Sequence, residues 1–129
     1  MTSLRLEHVN VTVRDPEKTA AILVDLFGWH IRWAGEARDG GHTVHVGSGE
    51  HYMALYTGRD VSYSDDDFAK GRPLNHVGVE VDDLDATEAR VVAAGLIPFS
   101  HGDYEPGRRF YFFDPDGIEY EVVSYRSAA

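Results

Sequence analysis

The chain contains no cysteine, which excludes disulfides, thiolate metal sites and a cysteine nucleophile. It has no apolar run approaching the roughly 18 residues that a membrane-crossing helix needs. Its first residues, MTSLRLEHV, lack the charged-then-apolar profile of a secretory signal. A cytoplasmic protein with no membrane partner is the expectation. Basic residues are scarce, 12 Lys and Arg against 22 Asp and Glu, for a formal charge of −10. That balance repels phosphate backbones and provides no basic patch for nucleic acid. It can attract a cationic ligand over long range, or simply keep the protein soluble. The 129 residues suffice for one well-buried core or two small modules.

What the chain does have is a sentence written twice. Residues 7–15 read EHVNVTVRD and residues 75–83 read NHVGVEVDD, with His76 following His8 by 68 positions. In both, valines alternate with polar residues or glycine, the pattern of a strand with one face in a core. Asp15 and Asp83 then stand where helix N-caps belong, and Pro16 suits a first helical position. Helical stripes follow, Ala20, Leu23, Leu26 and Phe27 in the first half and Ala89, Val92 and Ala93 in the second. Gly28 and Gly95 mark the helix ends. Beyond them come WHIRWAG, HTVHVG and HYMALYT in one half and LIPFSH, RFYFFD and IEYEVVSY in the other, separated by turn residues such as SGE and DPDG.

Each half therefore reads β-α-β-β-β. Module one covers residues 4–57 and module two 74–125, joined by the polar, turn-rich stretch 58–73. The valines would lie under each helix. His8, Asn10 and Thr12, with His76, Gly78 and Glu80, would face the uncovered side. Two such modules side by side would make a curved sheet with a cleft on its concave face.

This layout, with HVNVTV, NHVGVEV and FFDPDGIEYEV, resembles the vicinal oxygen chelate superfamily, which includes glyoxalase I, extradiol dioxygenases, fosfomycin-resistance enzymes and bleomycin-binding proteins. The resemblance implies an α+β fold of two βαβββ modules forming a curved mixed sheet with a concave metal-binding cleft. It also implies metal ligands on the first and last strands of each module: His8, His76 and, four residues after Gly117, Glu121. The repeat offset, 67 by this point, sets Ala54 opposite Glu121, so the carboxylate that glyoxalase I uses at a fourth place is absent. Two imidazoles and one carboxylate suit a divalent ion, Fe2+, Mn2+, Ni2+, Co2+ or Zn2+, with coordination positions left open. Glu119 is a substitute ligand or a supporting partner.

The resemblance further assigns Tyr111 and His101 as groups that assist substrate, in the manner of ring-cleaving dioxygenases. His101 is about one residue too distant for their usual pattern, and Val61 stands where another acid/base histidine is expected. His45 alternates with Val44 and Val46, so it should face the cleft as a candidate proton shuttle. Tyr52, Tyr56, Tyr111 and Phe113 predict aromatic walls. The expectation is a metal-dependent oxygenase or lyase/isomerase acting on a small oxygen-bearing substrate, extradiol-like rather than glyoxalase-I-like, working as a homodimer. The alternatives are a metal-free, bleomycin-resistance-like drug binder and a fosfomycin-resistance-type transferase.

Overall fold

A computed structural model describes residues 6–71, 74–104 and 107–125. Residues 4, 5, 72 and 73, at the edges of the expected module boundaries, lie outside the described residues. The chain divides after Tyr63 into two compact units.

The first unit runs β1 (His8–Thr12), α1 (Pro16–Phe27), β2 (His30–Glu36), β3 (His42–Gly47) and β4 (Tyr52–Thr57). The second runs β5 (Val77–Glu80), α2 (Leu84–Ala93), β6 (Phe99–Tyr104), β7 (Gly107–Phe113) and β8 (Glu119–Ser124). Each forms a four-stranded mixed sheet, in the orders β1-β4-β3-β2 and β5-β8-β7-β6. The first strand of each unit pairs parallel with its last, and the remaining pairs are antiparallel.

Helix boundaries follow from local chemistry. The Asp15 carboxylate accepts from Lys18 N at 3.1 Å and the Asp83 carboxylate from Ala86 N at 3.0 Å, satisfying donors that have no partner within the helix. Pro16 takes the first helical position. At the far ends Gly28 and Gly95 adopt φ of 69° and 83°, a left-handed conformation that glycine reaches without Cβ strain. Leu96 N donates to Val91 O and Gly95 N to Val92 O, the paired bonds of a Schellman stop.

Each helix packs on the two central strands of its own sheet. In the first unit Ala20, Leu23 and Leu26 meet Val11, Val13, Val44, Val46 and Leu55, all buried. Phe27 is half-buried and leans on Trp29. In the second unit the core comprises Val79, Val91, Phe110, Phe112, Tyr120 and Val122. The expected stripe of α2 is corrected here. Leu84, Thr87 and Val91 are buried, whereas Ala89, Val92 and Ala93 face solvent. Both sets have helical spacing, and the sheet chooses between them. The buried set matches Pro16, Thr19 and Leu23 of α1 at the repeat offset.

The stretch expected as a linker is not wholly irregular. Its described residues include a 3-10 turn, Asp65–Phe68, closed by Ser64 N donating to the Asp67 carboxylate at 2.9 Å.

Candidate functional site

The parallel pairing of first and last strands fixes which side chains share the uncovered face of each sheet. In the first unit Asn10 lies opposite Ala54, and in the second Gly78 lies opposite Glu121. Ala54 and Glu121 are therefore register equivalents. The neighbouring strand extends the correspondence, since His45 pairs with Ala54 and Tyr111 with Glu121. Trp33 pairs with His45 and Phe99 with Tyr111.

On the first unit's uncovered face the rings stack. His8 lies on Tyr52 with centroids 4.7 Å apart, and Tyr52 on His45 at 4.5 Å. Trp33 tilts against His45 at 5.2 Å, and the Arg32 guanidinium sits over the Tyr52 ring at 4.4 Å. His8, Trp33, His45 and Tyr52 line a depression of about 470 Å3 with Asp39 and Tyr56, whose hydroxyl donates to the Asp39 carboxylate. Partial burial, then the charges of His8 and Arg32, pull the His45 imidazole below its usual range. It is thus neutral near physiological pH and able to accept a proton. The His8 Nδ1–H donates to the Glu7 carboxylate at 2.9 Å.

The second unit's face carries charge instead. His76 Nε2 stands 3.1 Å from Glu121 Oε1, while Arg109 Nη1 donates to Glu121 Oε2 at 2.9 Å. His76 Nδ1 donates to the Asn75 amide oxygen at 2.8 Å, and Tyr111 presents its ring edge-on to His76 at 5.8 Å. Glu119 is buried, and Lys70 Nζ reaches it at 3.1 Å. A depression of about 410 Å3 is lined by Lys70, Asn75, His76, Phe99, Ser100, Tyr111 and Glu119. Lys70 carried no signal in the sequence, because it lies in the polar stretch between the modules, and Asn75 opened a recognised strand pattern without being singled out. Arg109 did stand on a recognised strand, but only the pairing frame tells it from Arg108, which turns to Asp85 of α2.

His101 is not brought to this face. Its Nε2 pairs with Glu88 of α2 at 2.8 Å, and its ring stacks on the core residue Phe110. The cause is local. The β6–β7 register shifts between Phe99 and Gly102, and Ser100 takes a φ of 53°. That extra residue turns His101 to the helix side, whereas simple alternation would have kept it with Phe99. Tyr111, His76 and Glu121 do share a face.

The His76–Glu121 pair was tested against the requirements of a metal ion. Two ligands at right angles, each about 2.1 Å from an ion, have donor atoms about 3.0 Å apart, and the observed separation is 3.1 Å. The Nδ1–H bond to Asn75 directs Nε2 toward the carboxylate, the second-partner arrangement usual for metal-bound histidine. The donor chemistry fits. Among the described residues no group of three His, Asp or Glu side chains forms a ready-made metal cluster, and His8 belongs to the other unit.

A two-unit βαβββ repeat with a histidine at the head of each first strand and a carboxylate on the last strand of the second unit defines a protein class. Residues 5–122 match the model of the Glyoxalase/Bleomycin resistance protein/Dioxygenase superfamily, and the chain belongs to that family. It is 24% identical to a probable lactoylglutathione lyase of Vibrio cholerae, across 99% of this chain and 96% of that protein. A glyoxylase/bleomycin resistance protein/dioxygenase domain from Frankia sp. EAN1pec superposes with a TM-score of 0.79 at 22% identity, over 97% of this chain and 100% of the other. The fosfomycin resistance protein FosX of Listeria monocytogenes, crystallised with Mn(II) and sulfate, has a TM-score of 0.70 at 18% identity, over 95% and 93% of the two chains.

Proposed function

We propose that the chain is a metal-dependent enzyme of this superfamily acting on a small substrate through adjacent oxygen atoms. His76 and Glu121 would be ligands of one divalent ion, with His8 as the third expected from the repeat. The observation that carries this reading is the His76–Glu121 pair, set 3.1 Å apart with the rear nitrogen of the imidazole tied to Asn75.

When bound, such an ion supplies Lewis-acid stabilisation of negative charge developing on substrate oxygens. The chain's own residues would do the rest. Arg109 holds the outer oxygen of Glu121 and fixes the carboxylate plane. Lys70 and Arg109 neutralise Glu119 and Glu121, so local charge does not repel an anionic substrate despite the overall −10. Tyr111 borders the pair and would orient a bound oxygen, and His45, neutral near physiological pH, would accept a proton. Ala54 supplies no ligand, leaving open the place that a fourth carboxylate would fill.

With His101 turned toward α2, a ring-cleaving reaction lacks one of its expected acid/base groups. Lyase, isomerase or ring-opening chemistry at an oxygen-bearing carbon is the better supported choice, and the similarity to FosX makes Mn2+ the first ion to test. The second reading, a metal-free binder of flat cationic drugs, draws on the ring stack of the first unit and on the acidic composition. A homodimer in the cytoplasm is part of the proposal.

The test is metal analysis of protein purified without chelators and reloaded with Mn2+, Fe2+, Ni2+, Co2+ and Zn2+. Assays on a hemithioacetal, fosfomycin and catechols would follow, the last with anaerobically iron-loaded protein. Uptake of one ion, lost in His76→Ala, is the expected result. Wild-type protein that retains no metal under any of these conditions sinks the enzyme reading.

A further inference from the structure

Both strand-head histidines are held by the residue immediately before them. His8 Nδ1 contacts Glu7 Oε1 at 2.9 Å, and His76 Nδ1 contacts Asn75 Oδ1 at 2.8 Å. A carboxylate and an amide oxygen can only accept, so in each case Nδ1 carries the hydrogen. A neutral imidazole has one protonated nitrogen, so Nε2 is the atom left to coordinate an ion in both rings. At His76 that atom faces Glu121 Oε1 at 3.1 Å, a contact that an N–H makes without an ion and that a bound cation would bridge. The same device recurs in the two units with different chemistry, a carboxylate in one and an amide in the other. It therefore belongs to the residue before each histidine, and either kind of acceptor oxygen serves there.

We infer that Glu7 and Asn75 are positioning residues that set the tautomer and ring direction of His8 and His76 for metal binding through Nε2. This rests on the metal reading given above, and it adds which atoms are presented and what presents them. Both residues are solvent-exposed and lie before their strands, so they are replaceable without touching either core. The two are not equivalent. Hydrogen bonding to a carboxylate makes an imidazole a stronger electron donor than hydrogen bonding to an amide does. Glu7 should therefore contribute more to metal affinity than Asn75.

The experiment uses the full chain with Zn2+ alone, a diamagnetic ion, in two measurements. Calorimetric titration should find Glu7→Ala and Asn75→Ala each weakened by about 10-fold, the Glu7 variant more. Glu7→Gln and Asn75→Asp, which keep an acceptor oxygen, should recover most of the loss. Nitrogen NMR of the Zn2+-loaded protein should find Nδ1 protonated and Nε2 bound to the metal for both histidines. Each alanine variant should lose that state at its own histidine only. A wild type that binds no Zn2+ overturns the metal reading. A wild type that binds Zn2+ while both alanine variants bind as tightly overturns the positioning role alone. So does finding Zn2+ bound through Nδ1 at His8 and His76 in the wild type.

Discussion

The two units have the same ladder of strands and opposite linings. At matching register positions the first presents Ala54, His45 and Trp33 where the second presents Glu121, Tyr111 and Phe99. The first covers its exposed sheet face with stacked rings, and Tyr52 mediates the contacts. The second places two carboxylates there and balances each with a cation, Arg109 on Glu121 and Lys70 on Glu119. A carboxylate buried as deeply as Glu119 would be costly without that partner. The core faces differ far less, both being valine-rich with a buried threonine in each helix. Backbone and core thus specify a module, and the chemistry resides in the alternate residues that the core leaves free.

The largest expected break in this contrast is Glu121→Ala. It removes the carboxylate that sets the second lining apart, and metal affinity should fall by about 100-fold or more, since a directly bonded ligand matters at least as much as its supporting partners. Direct titration with Mn2+ or Zn2+ reads the loss. Retained affinity would mean that Glu119 had taken over.

Next comes a contrast between turns. The turn before β8 buries Asp114, whose Oδ1 accepts from Asp116 N at 2.9 Å and Ile118 N at 3.0 Å. Desolvation by burial dominates those bonds and pushes its carboxyl up to about 6. The turn before β4, at Ser48–Glu50, buries no such group. With the folded pKa above the ordinary 3.8, the group's relative contribution to stability is fully present below about pH 3.8 and is lost as pH rises through about 6. Asp114→Asn keeps the acceptor oxygen and cannot ionise. It should exceed wild type by about 1–3 kcal/mol near neutral pH, with the gap closing toward about pH 4. Urea unfolding at both pH values measures this, and a gap independent of pH would refute it.

Smaller is the converse exchange, Ala54→Glu, which writes the second lining into the first. An added carboxylate beside His8 and His45 should tighten metal binding about 10-fold, on the scale of supporting groups around a site. Weaker binding would indicate that the ring stack does not open for a charged side chain. The smallest effect tests sameness. Asp15→Ala and Asp83→Ala should each cost about 1 kcal/mol in thermal or urea unfolding. Clearly unequal costs would mean that one helix is held mainly by its packing.

Much of this was legible in the chain itself. Alternating valines, Asp caps and glycine stops are local signals, and each depends on residues within one or two turns of one another. They were enough for the element order, the repeat and the equivalence of Ala54 with Glu121. The family pattern added the ligand set to that register. Three things depended on packing instead. Either of two helical stripes could have faced the core in α2, and the sheet selected Leu84, Thr87 and Val91. One bulge at Ser100 carried His101 to the helix side, because a single extra residue reverses every side chain beyond it until the register is restored. Lys70, Arg109, Glu7 and Asn75 acquired partners only when distant segments or adjacent rings met in space. Periodicity determines which face a side chain shares, and only the folded chain decides what waits for it there.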